Sequence, residues 1–451
     1  MPYPLTRALG KFAAALCYDG IPSSFIQTIR TAFVDCVAVI VAGRHQPAPR
    51  LLASALGSTG NEASALFEPM RTSALDAAWI NGTAAHALDF DDVDRVVRGH
   101  PSAVLVPAIL AEAEATDASG RQMVQAYAAG HQVWAELAWR DSDLQDRKGW
   151  HPTGVFGAIA AAAACANLRE LDAENATCAI ALGASQSAGL VSNFGTMVKP
   201  FHAGRAAHAG VISARLAAKG FSAAPDAIEC EQGFLPAVSL DGRIDTEAVI
   251  QAGVDWKNRF TVKKYPICFA AHRAVDGALD IVKQKQPDAR NIRRITVSTS
   301  PRNAALLHYH LPQTALQARF SIEFAVACAV ITGRVGLNEV ADEFVRRSDV
   351  QALMKRVEIV FEKQKDSDSI MLGYAVHDGV VIEMNSGQRL ESGPITRVRG
   401  DPDLPLTRDQ LEEKFTDCLL AGGLGEQPRL FDALLSIDRL RGVRELYALV
   451  E

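Results

Sequence analysis

The chain has 451 residues, of which 48% are hydrophobic and 22% are charged, a composition typical of a globular protein with more than one core. Its formal net charge of -6 provides no overall basic field, which argues against nucleic-acid binding and against adsorption to anionic membranes. An anionic ligand must therefore meet local positive charges.

Two features of the sequence bear on the cellular compartment. Charged residues interrupt the apolar residues of the N-terminal segment 1–20, which lacks the uninterrupted apolar core of a secretory signal. Eight cysteines are scattered singly, without the CxxC pairs that hold zinc or an iron–sulfur cluster. We predict a cytoplasmic protein whose cysteines are reduced core thiols.

Alanine-rich segments with helical patterns dominate the chain up to about residue 260, for example residues 119–139 and 173–190. Residues 149–168, GWHPTGVFGAIAAAAACANL, contain no formally charged side chain and are long enough to suggest a membrane span. Their alanine and glycine content instead favours a helix packed tightly inside a protein. We therefore predict an all-helical domain with this helix at its centre.

The pattern changes after about residue 290. Residues 293–300, 356–362 and 380–392 alternate like strands, and the NSG within the third segment is a plausible hairpin turn. Helical signals return near residue 400, where TRDQLEEKFTDCLL opens with the spacing of a capping box. The predicted fold is mainly α: a discontinuous helical domain (1–262 and 400–451) and a smaller α+β domain (263–399).

Four polar segments interrupt the small-residue and apolar sequence: DFDDVDRVVRGHPS, GWHPTG, NFGTMVKPFHAGRAAHAG and TVKKYPICFAAH. A pocket that collects His100, His151, Lys199 and Lys263 from them would suit a di- or tricarboxylate. Fixed cations offset the charge of such a ligand, and imidazole moves protons near neutral pH. The sequence has no metal-ligand cluster, GxGxxG or P-loop, so we predict neither a metal nor an organic cofactor.

The set and order of these segments resemble the MmgE/PrpD family over nearly the whole chain. The matching stretches are HALDFDD with RGHPS, GWHPTG, GTMVKPFHAGRAA, VKKYPICFAAH, QARFSIEFAVA and PLTRDQLEEKF. The resemblance implies a mostly α-helical domain built from both chain ends, a smaller lid-like α/β domain, a homodimer, and chemistry without metal or cofactor.

The resemblance also implies the residues of the active site. It assigns catalytic roles to five residues: Asp89, His100, His151, Lys199 and Lys263. We further predict that three residues bind the substrate: Arg98, Lys264 and Tyr265.

The family includes 2-methylcitrate dehydratases, cis-aconitate decarboxylases and iminodisuccinate epimerases. Our leading prediction is a lyase that dehydrates a small hydroxy-polycarboxylate, as a 2-methylcitrate dehydratase does. The alternatives are an epimerase of a dicarboxylate, a cis-aconitate decarboxylase, and a non-catalytic metabolite-binding protein. Val93 stands where many members carry threonine, and the Arg98-Gly99-His100 sequence resembles the epimerase type.

Each candidate residue also has a structural explanation. The acids of DFDD could cap a helix and hold a neighbouring arginine at the surface. His151 could bind backbone at a helix start, and Lys199 could be a solvated loop lysine. Three histidines on segments that look helical are expected to be structural: His202, His208 and His272.

Overall fold

The computed structural model describes residues 3–57, 60–143, 145–361 and 376–450. The chain forms two compact units, one made of residues 1–262 and 407–451 and the other of residues 263–406. The first unit is thus assembled from both ends of the chain.

The N-terminal part of the first unit is mostly helical. Its helices are α1 (Leu5–Ala15), α2 (Ser23–Gly43), α3 (Pro47–Leu56), α4 (Ala74–His86), α5 (Ser102–Thr116), α6 (Gly120–Arg140), α7 (Gln145–Lys148), α8 (Pro152–Leu168), α9 (Ala173–Ser185), α10 (Val198–Ala217) and α11 (Phe234–Val238). Two short antiparallel ladders, which the sequence did not predict, accompany them: β1 (Ala63–Ala65) with β2 (Met70–Thr72), and β3 (Val93–Asp94) with β4 (Phe260–Thr261).

Helix α8 lies at the centre of this unit, where it packs against α5, α6, α9 and α10. All its residues from Thr153 to Leu168 are buried. Small side chains permit this close packing: a Cβ added at Gly210 of α10 would lie 2.3 Å from the Cβ of Ala161. The prediction of a core helix in this alanine-rich stretch is confirmed.

Helices α4 and α10 cross with almost no side chain between them. A Cβ at Gly82 would lie 2.7 Å from the Cα of Gly204, and a Cβ at Gly204 would lie 2.2 Å from the carbonyl oxygen of Trp79. Two glycines at a crossing let the helix backbones approach closely. The crossing brings the C-terminal turn of α4 towards the N-terminal turn of α10, and both turns carry polar side chains.

The second unit combines helices with one mixed sheet. Its helices are α12 (His272–Lys285), α13 (Pro301–Leu306), α14 (Ala315–Ala318), α15 (Ile322–Thr332), α16 (Asp342–Val345) and α17 (Ser348–Met354), and its strands are β5 (Ile292–Thr299), β6 (Val357–Phe361), β7 (Gly379–Met384) and β8 (Arg389–Glu391). The strand order is β6-β5-β7-β8, with β5 and β6 parallel and the other neighbours antiparallel. The predicted strands and the hairpin at NSG are confirmed.

The C-terminal segment returns to the first unit with α18 (Arg408–Ala421), α19 (Pro428–Leu435) and α20 (Arg444–Tyr447). Thr407 and Gln410 form the predicted capping box at the start of α18. Helix α18 packs against α2. Among the described residues, α2 is the one helix long and apolar enough to cross a membrane, but 72% of its apolar window is buried inside the protein.

Candidate active site

The segment between α4 and α5 is a buried turn. After His86, the last residue of α4, the chain reverses through Asp89, which adopts a left-handed conformation with φ 51°. Four polar side chains of this turn are at most 4% exposed: His86, Asp89, Asp91 and Asp92. The alternative in which these acids form a surface network is therefore wrong.

Lys199 and Asp89 form a buried ion pair. Lys199 lies in the first turn of α10, and its Nζ donates to Asp89 Oδ1 over 2.7 Å. Both side chains are only 6% exposed, so Lys199 is not a solvated loop lysine. The ring of Phe194 lies 5.4 Å from the ammonium, on one side of the pair.

Asp91 lies between two imidazole rings. His86 Nδ1 is 2.9 Å from each Asp91 oxygen, and His100 Nδ1 is 3.1 Å from Asp91 Oδ2 and 2.8 Å from the carbonyl oxygen of Asp92. Ionised carboxylate and carbonyl oxygens only accept hydrogen bonds, so each Nδ1 must carry the proton. When the rings are neutral, each Nε2 therefore offers a lone pair.

Burial and neighbouring charges set the protonation of this turn. Burial is the largest influence on His86 and, together with the nearby charge of Lys199, lowers its pKa to about 3 against the attraction of Asp91. Burial by itself would raise the pKa of Asp91, but His86 and His100 outweigh it and hold that pKa well below its usual range. Burial, followed by the charges of Asp91 and Asp35, raises the pKa of Asp92 well above its usual range. At neutral pH, Asp91 is therefore ionised and His86 is neutral.

A second pair of imidazoles lies beside the first. His151 immediately precedes α8, and its Nδ1 is 3.1 Å from Nδ1 of His202 on α10, so one ring donates and the other accepts. The His151 ring stacks on His86 with centroids 5.9 Å apart. Burial and the charge of Lys199 lower the pKa of both rings, that of His202 to about 4. Both rings are neutral at physiological pH.

The sequence predicts neither His86 nor Asp91 as a site residue, and it favours a structural role for His202. A helical signal was available for His202, because it follows Lys199 by three residues and such residues share one face of a helix. The other two histidines expected to be structural lie elsewhere. His208 contacts Arg205, and His272 in the second unit contacts the carbonyl oxygen of Ile267.

Three predicted site residues belong to the second unit. Lys263 is buried and Lys264 is partly exposed. The hydroxyl of Tyr265 donates to Asp276 Oδ1 over 2.6 Å, and burial raises the pKa of that hydroxyl. The roles of these three residues stay predictions from the sequence.

Arg98 has main-chain partners in the first unit. It adopts φ 56°, and its Nη1 donates to the carbonyl oxygens of Asp141 and Asp143 over 2.9 and 2.7 Å. These bonds anchor the turn that follows α6. Binding of substrate by Arg98 stays a prediction.

One set of side chains in the described part of the chain could hold a metal ion. One ligand atom from each of four residues lies within 4.8 Å of the others: His86, Asp89, Asp91 and His100. Nitrogen and carboxylate ligands of this kind suit zinc and other transition metals. However, the ammonium of Lys199 already pairs with Asp89, and the Nδ1 protons of both imidazoles are directed at Asp91. A metal-free site remains our prediction.

Comparisons with known proteins cover nearly the whole chain. The MmgE/PrpD N-terminal domain matches residues 7–247, and the MmgE/PrpD C-terminal domain matches residues 265–431. A cis-aconitate decarboxylase-like protein of Aspergillus oryzae is 26% identical over 99% of this chain and 97% of its own length. The cis-aconitate decarboxylase of Aspergillus terreus is 24% identical over 99% of this chain and 96% of its own length. The cis-aconitate decarboxylase of Homo sapiens is 25% identical over 75% of this chain and 71% of its own length. Decarboxylases are lyases, so the comparisons support a lyase at the level of the family, and the chain belongs to the MmgE/PrpD family.

Proposed function

We propose that this protein is a lyase, independent of metal and organic cofactors, that acts on a small di- or tricarboxylate through an enolate-like state. The observation that carries the proposal is the convergence in the first unit of an ammonium, an ionised Asp–His–His group and a second imidazole pair. Proton carriers beside a fixed cation are what a reaction at a carbon next to a carboxylate needs.

His100 is the proposed proton carrier. Its Nδ1–H is held by Asp91 and by the carbonyl oxygen of Asp92, which leaves Nε2 to exchange a proton with the substrate. The carboxylate of Asp91 stabilises the imidazolium that forms when Nε2 takes a proton, as in other Asp–His pairs. The side chain of His100 is 14% exposed, whereas that of Asp91 is fully buried, so His100 is the accessible member of the pair.

Lys199 is the proposed stabiliser of negative charge. Enolate formation moves charge onto a carboxylate of the substrate, and a fixed ammonium in a site shielded from water stabilises that charge strongly. The pair with Asp89 holds the ammonium in place before the substrate binds. Protonation of His100 would add a second cation and so favour binding of the anionic substrate.

Decarboxylation is the first candidate reaction. The bond to one carboxylate breaks, carbon dioxide leaves, the electron pair delocalises towards a remaining carboxylate, and a proton from the His100 imidazolium adds to carbon. The relatives that span nearly the whole chain are decarboxylase-like, which supports this choice.

Dehydration, the leading prediction from the sequence, is the second candidate. It requires a base at the α-carbon and an acid that protonates the departing hydroxyl, so it needs two proton carriers. The pair of His151 and His202, of which His151 stacks on His86, could supply the second carrier. Epimerisation also needs two carriers, on opposite faces of the substrate.

Incubation in heavy water with NMR detection separates these reactions. Cis-aconitate, 2-methylcitrate and an amino-dicarboxylate are supplied in turn. Release of carbon dioxide with deuterium at the new C–H position supports decarboxylation, and an alkene formed with loss of water supports dehydration. Deuterium at an α-carbon without loss of either group indicates epimerisation. Binding without exchange or product with any candidate would contradict the lyase and favour a metabolite-binding protein.

His208→Ala is the matched control for these assays. His208 lies on the same helix as Lys199 but contacts Arg205 instead of the imidazole cluster. The His208→Ala variant should therefore keep the turnover of the wild type, whereas His100→Ala should lose it.

The proposal also includes the predicted cytoplasmic location and the predicted homodimer.

A further inference from the structure

The motif PLTRDQLEEKF near the C-terminus has no role in the chemistry described so far. Its lysine, Lys414, lies on α18 and is 7% exposed. Buried lysines are rare unless a partner offsets their charge. The partner here is Asp35 of α2, whose Oδ1 lies 2.5 Å from the ammonium.

The same ammonium contacts the turn that carries the acids of the site. Nζ of Lys414 donates to the carbonyl oxygen of Phe90 over 2.8 Å and lies 4.0 Å from the centre of the Phe90 ring. Phe90 stands between Asp89, which pairs with Lys199, and Asp91, which holds the two imidazoles. One buried cation therefore holds the backbone from which both acids project.

This backbone needs support because Asp89 is a left-handed residue other than glycine. Such a conformation costs about 1 kcal/mol or more and persists only where surrounding contacts impose it. The bond to Phe90 is charge-assisted and shielded from water, which makes it stronger than a neutral hydrogen bond.

We propose that Lys414 is a positioning residue, which acts through the Phe90 carbonyl to set the geometry of Asp89 and Asp91. Its contribution to turnover rests on the proposed lyase function, whereas its contribution to the order of the turn does not. The C-terminal helix thereby becomes part of the support of the active site.

The test compares two variants that both lack the ion pair. Asp35→Asn removes the charge partner but keeps the donor to Phe90, whereas Asp35→Asn combined with Lys414→Met removes that donor as well. The comparison avoids leaving an ionised Asp35 buried alone, which would destabilise the protein for a reason unrelated to positioning. The two variants differ at the Phe90 carbonyl and in the charge at residue 414.

Hydrogen–deuterium exchange is the first readout, because it needs no substrate. Peptides that cover residues 86–100 should exchange about tenfold faster or more in the double variant than in Asp35→Asn, since a charge-assisted hydrogen bond has been lost. Peptides of α8 serve as the internal reference and should be unchanged. Equal exchange of residues 86–100 in the two variants would overturn the proposal.

Turnover is the second readout. The double variant should show kcat at least about tenfold below that of Asp35→Asn, with a smaller change in KM, because misplaced acids weaken the transition state more than binding. Equal kcat in two folded, active variants would overturn the positioning role. If no substrate is turned over by the wild type, the lyase proposal fails while the exchange result still decides the role of Lys414.

A further variant covers the case in which the double variant does not fold. Lys414→Arg keeps a positive charge beside Asp35, but its guanidinium is larger than the ammonium and fixes its donors in a planar fork, which should change the geometry of the bond to the Phe90 carbonyl. Faster exchange of residues 86–100 than in the wild type is expected. Unchanged exchange in this variant would overturn the proposal.

Discussion

Replacement of Gly204 by alanine should separate the two helices that carry the site. The new Cβ would lie 2.2 Å from the carbonyl oxygen of Trp79, 2.4 Å from Oγ1 of Thr83 and 2.8 Å from its backbone nitrogen. Real Cβ atoms essentially never approach closer than 3.0 Å, and two of these neighbours are backbone atoms of α4. We therefore expect the helices to move apart by about 1 Å at the crossing.

The energetic cost follows from two opposing effects. Overpacking against backbone should cost about 3 kcal/mol, because backbone atoms cannot rotate away. Alanine is a better helix former than glycine by about 1 kcal/mol, which offsets part of this cost. The net destabilisation of about 2 kcal/mol should lower the Tm by about 4 °C for a unit of this size.

Turnover should fall by more than the loss of stability explains. Lys199 precedes Gly204 on α10 and His86 ends α4, so a shift at the crossing displaces the ammonium from the acids. A misplacement of about 1 Å can lower the rate of an enzyme up to about a hundredfold. Thermal melting and steady-state kinetics on folded protein measure the two effects separately.

Gly20→Ala is the matched control. A Cβ at Gly20 meets no heavy atom within 4 Å, and this glycine is not among those with positive φ. Its Tm and turnover should equal those of the wild type. If Gly204→Ala behaves like Gly20→Ala in both measurements, the crossing does not set the geometry of the site.

Four further predictions can be checked. His100→Ala and Lys199→Ala should each lower turnover about a hundredfold or more with an intact fold, and near-normal turnover would remove that residue from the mechanism. Turnover should survive treatment with EDTA, because the ammonium of Lys199 already pairs with Asp89, one of the four potential metal ligands. A loss of turnover that one added metal restores would refute the metal-free mechanism. Because the folded-state pKa of His202 is about 4, below the ordinary 6.5, the unfolded chain binds a proton that the folded chain cannot. The contribution of His202 to the free energy of unfolding should therefore fall by about 2 kcal/mol from pH 7.5 to 5. The midpoint of urea unfolding should consequently depend less on pH in His202→Gln than in the wild type. Light scattering should give the mass of a dimer, and a monomer at micromolar concentration would contradict the predicted assembly.

The sequence alone determined the secondary structure at strongly patterned positions. Small residues in the stretch that became α8 predicted a core helix, since only such side chains allow neighbouring helices to approach so closely. The strands β5 to β8 show an alternation of apolar and polar residues, and the capping box of α18 depends on hydrogen bonds between residues three positions apart. Both patterns can be read from neighbouring residues in the sequence. The order of the polar segments pointed to the family, which the family domains confirm.

The tertiary structure decided how the polar residues combine. Four predicted catalytic residues contact one another or shared neighbours in the first unit, namely Asp89, His100, His151 and Lys199. The pKa values of His86 and His151 depend on burial and on the nearby charge of Lys199, and neither can be read from the sequence. The link from Lys414 to Phe90 joins residues 324 positions apart. No local pattern encodes such a contact, because it exists only when α18 packs against α2 behind the turn.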